Sequence, residues 1–142
     1  MGRLIIVFQI LIWSWTSIGL ADNQLEQPRT KAIKGIVDLS SYDFSRSGPI
    51  ALDGQWFFHK SKFISPEQPE SVDGKELVKV PSAWRRLIIN GTALEPQGYG
   101  SYQLKILLPN PAPQGLALKT PLIGSGYRLY LNGRKITQVG TP

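Results

Sequence analysis

Hydrophobic and polar positions alternate most clearly between residues 99 and 109, YGSYQLKILLP. Tyr102, Leu104, Ile106 and Leu108 fall on one face, and Gln103, Lys105 and Leu107 on a second, mostly polar one. A period of two is that of a half-buried strand. Pro109 ends it, because proline brings no amide donor to a ladder, and the Asn110-Pro111-Ala112-Pro113 run that follows makes a rigid loop. Two more alternations come next. Leu116 and Leu118 alternate with Ala117 and Lys119, and Tyr127, Leu129 and Leu131 alternate with Arg128 and Tyr130 before Asn132-Gly133. These predict two further strands and a hairpin turn, so the downstream half reads as antiparallel sheet.

Upstream, Ile36, Val37 and Leu39 mark a first strand. Residues 40–48, rich in serine, aspartate and glycine around Tyr42 and Phe44, predict a loop pinned by two aromatic side chains. Residues 49–52, Asp53-Gly54 and residues 55–59 read as strand, tight turn, strand, since aspartate-glycine suits the positive φ of a two-residue hairpin turn. Residues 60–64 fit a helical turn or a short strand, and residues 77–81 predict a strand ended by Pro81. Ser82-Ala83-Trp84 then turns the chain into a long irregular connection over residues 85–99. No helix of more than about one turn is expected after the amino-terminal segment.

That segment has a different pattern. Met1-Gly2-Arg3 precedes an almost unbroken apolar run over residues 4–15, and Ile18-Gly19-Leu20-Ala21 supplies small residues for a cleavage site. One basic residue, an apolar stretch and small residues define a secretory signal peptide, cut after Ala21. The rival is an uncleaved anchor, residues 4–20 being at the short limit of a span, though Gln9, Ser14, Thr16 and Ser17 weaken it. Either way the remainder is exported. The organisation expected is a signal peptide at 1–21, a flexible leader at 22–32 and one domain at 33–142. With the signal peptide removed, about 120 residues remain, enough for one small core.

Composition narrows the setting. An exported chain of 142 residues with no cysteine fits a bacterial envelope better than a disulfide-stapled secreted class. The formal charge of +6 is scattered, with Arg85-Arg86 and Arg134-Lys135 the adjacent basic pairs, so nucleic acid is not an expected partner. Anionic headgroups or sugars stay open, beside the plainer reading of a solvated basic surface.

Five stretches, taken in order, resemble a known family: Val37 through Phe44 (VDLSSYDF), Leu52 through Phe58 (LDGQWFF), Val80-Pro81-Ser82-Ala83-Trp84, Tyr99-Gly100-Ser101-Tyr102, and Tyr127 through Gly133 (YRLYLNG). The series is similar to the periplasmic domain, extracellular type 2, of bacterial seven-transmembrane receptors with diverse intracellular signalling modules. A looser likeness extends to the amino-terminal sugar-binding domain of family-two glycoside hydrolases. Both imply an all-β, galactose-binding-like jelly-roll sandwich. The family domain continues for several more strands and is followed by seven membrane helices and an output module such as a histidine kinase or a cyclase. The resemblance therefore implies an input domain lacking its carboxy-terminal strands in this chain.

The inventory for chemistry is thin. His59 is the one histidine, so neither a zinc cluster nor a Ser-His-Asp or Cys-His system can be assembled from ordinary ligands, and no metal or cofactor is expected. His59 itself reads as a surface or core-edge residue. Asp43, Asp53 and Asp73 lie in turn contexts, where carboxylates stabilise local backbone. Asn90-Gly91-Thr92 matches a glycosylation acceptor that a bacterial envelope rarely uses, and Gly98, Gly100, Gly124 and Gly126 read as turn glycines. Binding needs aromatic platforms and directed polar groups. Trp84 with Arg85, Tyr99 at the far end of the long connection, and Arg128 are the candidates. Against them stands a core role for Trp84 and Tyr99, as for Trp56 and Tyr102, and a solvent-facing Arg128.

The expectation is a non-enzymatic, periplasmic ligand-sensing domain for a carbohydrate or small molecule, joined to a membrane through downstream helices. The alternatives are an accessory sugar-binding domain of a glycoside hydrolase and an envelope interaction module.

Overall fold

The computed structural model describes residues 3–7, 30–67, 73–121 and 123–142. Its strands are β1 (Arg3–Val7), β2 (Ile36–Asp38), β3 (Gly54–Lys60), β4 (Glu76–Val80), β5 (Ile88–Ile89), β6 (Thr92–Ala93), β7 (Gly100–Leu107), β8 (Tyr127–Leu131) and β9 (Arg134–Val139). One 3-10 turn, Trp84–Arg86, is the only helical element among the described residues. The fold is all-β, as the alternation implies.

Seven strands form one sheet in the order β4-β3-β7-β1-β8-β9, with β2 lying parallel against β7 beyond the end of β3. The eight-residue β7 is the axis of the molecule. Its first half pairs with β3 through Phe57 opposite Gln103 and Phe58 opposite Tyr102, and its second half with β2 through Val37 opposite Ile106. Its other edge pairs with β1, from Arg3 opposite Leu107 to Val7 opposite Gln103. Of the segment read as a signal peptide, Arg3–Val7 is thus a strand inside the sheet, and the cleavage site at Ala21 lies outside the described residues.

The inner face carries the core: Trp56 and Phe58 from β3, Val78 and Val80 from β4, Tyr102, Leu104 and Ile106 from β7, and Tyr127 and Leu129 from β8. No second large sheet covers it among the described residues. The β5–β6 hairpin supplies Ile89 and the adjacent Leu87 and Leu94, and the loop after β2 supplies Leu39, with Tyr42 and Phe44 packed edge to face at 4.9 Å. The Tyr42 hydroxyl lies 3.1 Å from the carbonyls of both Ser47 and Gly48, which closes that loop as its composition implies.

Several local expectations are corrected. Residues 49–52 are not a strand, and Asp53-Gly54 is not a hairpin turn. The reason is a third backbone. Ala32 donates to the Asp53 carbonyl and accepts from the Gln55 amide, and a Cβ on Gly54 would stand 2.3 Å from the Ala32 oxygen. Gly54, at φ 127°, is there to let Ala32 approach, and Ala32 is already buried within the stretch read as a flexible leader.

Residues 85–99 are not wholly irregular. Asn90 and Gly91, at φ 50° and 77°, form the primed turn of the β5–β6 hairpin, the same device that Asn132 and Gly133 supply between β8 and β9. Gly100 is not a turn residue either. It opens β7 beneath Phe58, whose ring a Cβ would meet at 2.5 Å. Leu116 and Leu118 lie in an extended stretch that joins neither sheet, bounded by Pro113 and Pro121.

The outer face of β3 and β7 is not the open polar face that alternation implies. Ser101 and Gln103 are buried, and so is His59. The chain leaves β3 at Ser61, in a left-handed conformation at φ 53°, and folds back across them. The Ser101 hydroxyl donates to the Lys62 carbonyl at 2.8 Å and accepts the Ile64 amide at 3.3 Å, which straps residues 62–64 down over the sheet.

Candidate functional site

A concave apolar pocket of about 610 Å³ opens at the end of the inner face. Its floor is the sheet: Trp56, Val80, Ile106, Leu108 and Leu131. One wall is residues 48–53, held in place where the Trp56 indole N–H donates to the Leu52 carbonyl at 2.8 Å. Leu39 and Phe44 close the adjacent side, and residues 116–121 form the opposite wall. The stretch Leu116-Ala117-Leu118, whose alternation reads as a strand, is instead a pocket wall that remains substantially exposed. Asp53, Lys119 and Thr120 add a few polar groups. An apolar lining with few polar groups is the usual form of a small-molecule site.

The residues singled out from the sequence lie elsewhere. Trp84 sits in the 3-10 turn with its ring edge-on to Phe58 at 5.7 Å, and its indole N–H donates to the Glu95 carbonyl at 2.7 Å. Its ring also covers Gly98, where a Cβ would stand 2.9 Å away. Trp84 is therefore engaged by its own chain on an edge, a face and its polar atom. Arg85 beside it is exposed. Tyr99 is exposed and stacks on Phe63, ring centroids 4.8 Å apart and planes 24° apart, so the two make an open aromatic platform over the outer strap. Arg128, on β8, places its Nε 3.3 Å from Gln138 Oε1 of β9. Trp84 and Tyr99 flank Gly98, while Arg128 stands two strands away from β7. None of the four lines the pocket.

The buried His59 places Nε2 3.4 Å from Gln103 Oε1, and Nδ1 has no partner among the described residues. Donation from Nε2–H to that oxygen fixes the neutral tautomer with Nδ1 bare. Burial lowers its pKa; the Gln103 contact opposes this and the charges of Lys75 and Lys62 add to it. Burial likewise pushes the Tyr102 phenol far above its ordinary range. Among the described residues no three His, Asp or Glu side chains gather where a metal ion could be held.

Fold and site together define a small all-β domain with an apolar end pocket and an exposed aromatic pair. No family profile matches the chain, and no curated protein or solved structure was found to match it.

Proposed function

We propose that this chain is a non-catalytic ligand-binding domain of the bacterial envelope, the input portion of a membrane signalling receptor. The pocket of about 610 Å³ carries the reading. Its lining favours a small molecule with a large apolar surface and one or two polar groups to meet Asp53, Lys119 or Thr120. The resemblance of residues 37–133 to receptor input domains supplies the signalling context, and the signal-like first 21 residues supply export. In such a receptor, occupancy of the pocket acts on the membrane helices only through different affinities for two arrangements of the domain. A galactose-binding-like sandwich completed by further strands belongs to the same proposal.

Trp56 at the pocket floor gives the readout. Tryptophan fluorescence is titrated with a panel of amphipathic small molecules and with mono- and oligosaccharides. Ala117→Trp, on an exposed stretch of the wall, should abolish binding of a pocket ligand while leaving the unfolding midpoint unchanged. Saturable binding that this variant does not affect removes the pocket from the reading. No binding by any compound at concentrations up to about 1 mM, a free energy of about −4 kcal/mol, removes small-molecule recognition itself.

The second reading, a sugar-binding accessory domain, draws on the stacked and exposed Phe63–Tyr99 pair, since aromatic faces pack against sugar rings. Oligosaccharide binding lost in Tyr99→Ala and kept in Ala117→Trp would select it. The open reading frame beyond residue 142 tests the receptor context, which requires seven apolar segments of about 20 residues each.

A further inference from the structure

β1 has an unusual position. It is the amino-terminal strand of the chain, yet it lies inside the sheet, antiparallel to β7 on one edge and to β8 on the other. Ile6 stands opposite both Leu104 and Leu131, and Val7 opposite both Gln103 and Tyr130. No other strand joins β7 to the β8–β9 hairpin among the described residues. The same five residues form part of a sequence with every mark of an export signal cut after Ala21.

The two observations conflict unless the position outlasts the strand. With residues 1–21 removed, the edge of β7 over residues 103–107 and that of β8 at residues 130–131 face each other across a vacancy. Both belong to strands whose inner residues, Leu104, Ile106 and Leu129, are buried. Unpaired backbone groups at that depth are costly. β7 and β8 are two strand spacings apart, about 9.5 Å, which is too far to pair directly and matches the width of one inserted strand. Both run in the same direction, so the inserted strand meets antiparallel geometry on each side.

We infer that the space between β7 and β8 is a strand-acceptor site, which takes an extended apolar segment of about five residues from another polypeptide. Arg3–Val7 shows the class of ligand: one polar end, then consecutive branched apolar residues, without proline or acid. Recognition comes from main-chain hydrogen bonds on two edges, which is the chemistry of β-strand addition made two-sided. The site adjoins the pocket proposed above for a small molecule, since the floor residues Ile106 and Leu131 stand opposite Leu4 and Ile6 of β1. The vacancy in the mature protein rests on the reading of residues 1–21 as a cleaved signal.

The test uses the whole chain with a site-specific protease sequence inserted after Ala21. After cutting, the protein is incubated with an excess of fluorescent peptide corresponding to residues 1–9 and passed over a sizing column. One labelled peptide should be retained per chain. The same peptide with Ile6→Pro, which loses an amide donor at one of the two positions paired on both edges, should be retained at less than about a tenth of that level. Hydrogen exchange at residues 103–107 and 130–131 should slow at least tenfold when the peptide is present. Equal retention of the Ile6→Pro peptide, no retention of either, or exclusion of the label by self-association of the cut chain each overturns the acceptor site. Mass analysis of the exported protein separately tests the signal. A mature protein that keeps Arg3–Val7 has no vacancy and overturns the acceptor site, whereas one lacking those residues supports it.

Discussion

His59 is buried on the outer face as a neutral ring, its Nδ1 bare, with the ammonium groups of Lys62 and Lys75 adding to the penalty for a proton. Its folded pKa lies below the ordinary 6.5, so the unfolded chain takes up a proton that the folded chain resists. Stability is therefore complete above about pH 6.5 and falls as the pH drops toward the lowered folded value, by at most about 1.4 kcal/mol per pH unit. The carboxylates of Asp38 and Asp43, held low by hydrogen bonds from Ser40 and Ser45, have the same sign of effect but act only below pH 3.8. Urea midpoints measured between about pH 7 and pH 5 should fall for the native sequence and stay level for His59→Gln. A second residue-scale expectation concerns Gly54. Gly54→Ala adds a Cβ against the Ala32 carbonyl at a positive φ and should cost at least about 2 kcal/mol, read from denaturant unfolding.

At the scale of elements, the strap over residues 62–64 depends on one hydroxyl. Ser101→Ala removes both of its hydrogen bonds and leaves the Ile64 amide without its partner, so a loss of about 1–3 kcal/mol is expected. Faster exchange confined to the Ile64 amide and to residues paired with β3 would show that the strap, not the inner core, had loosened. The β5–β6 hairpin is tested from the other side. Leu94→Ala empties a buried position and should cost about 2–4 kcal/mol, with β7 intact by hydrogen exchange. Strands were legible where period two survives in the sequence: β4 and β8 carry it with one face toward the core, and β7 carries it although residues 100–104 are buried on both faces. The signals that misled were local ones whose meaning is set by distant backbone. Asp53-Gly54 and Asn132-Gly133 resemble each other in sequence, yet only the second is a hairpin, because Ala32, more than twenty residues upstream, occupies the space beside the first. Asn90-Gly91 was masked by its fit to a glycosylation motif and by the brevity of strands of two residues each. The pocket was not legible: its walls, residues 48–53 and 116–121, carry strand-like signals yet are loops brought together by the sheet beneath them.

At the scale of the whole molecule, the two faces of the seven-stranded sheet explain why the apolar pocket and the aromatic platform are independent. One opens from the inner face at the end of β7, and the other rides on the outer strap at its beginning. Trp84, Arg85, Tyr99 and Arg128 were attractive as exposed aromatic and basic residues, but two of them serve the chain itself: Trp84 seals Gly98 and Phe58, and Arg128 bridges to Gln138. Substituting Trp84 should therefore cost stability rather than affinity: Trp84→Ala is expected to lose about 3 kcal/mol in unfolding experiments and to leave any pocket ligand's Kd unchanged.

The pairing of β7 also sets the order in which the chain can fold. β2, β3 and β1 all hydrogen-bond to it, though they begin some forty to a hundred positions earlier in the sequence. During synthesis the β3–β4 and β5–β6 hairpins can pair early, but β1 and β2 wait for β7, so about three-quarters of the polypeptide must emerge before the central sheet can assemble. Loop closure over such separations is slow, and until it is made the edges of the early hairpins stay open to pairing with other chains.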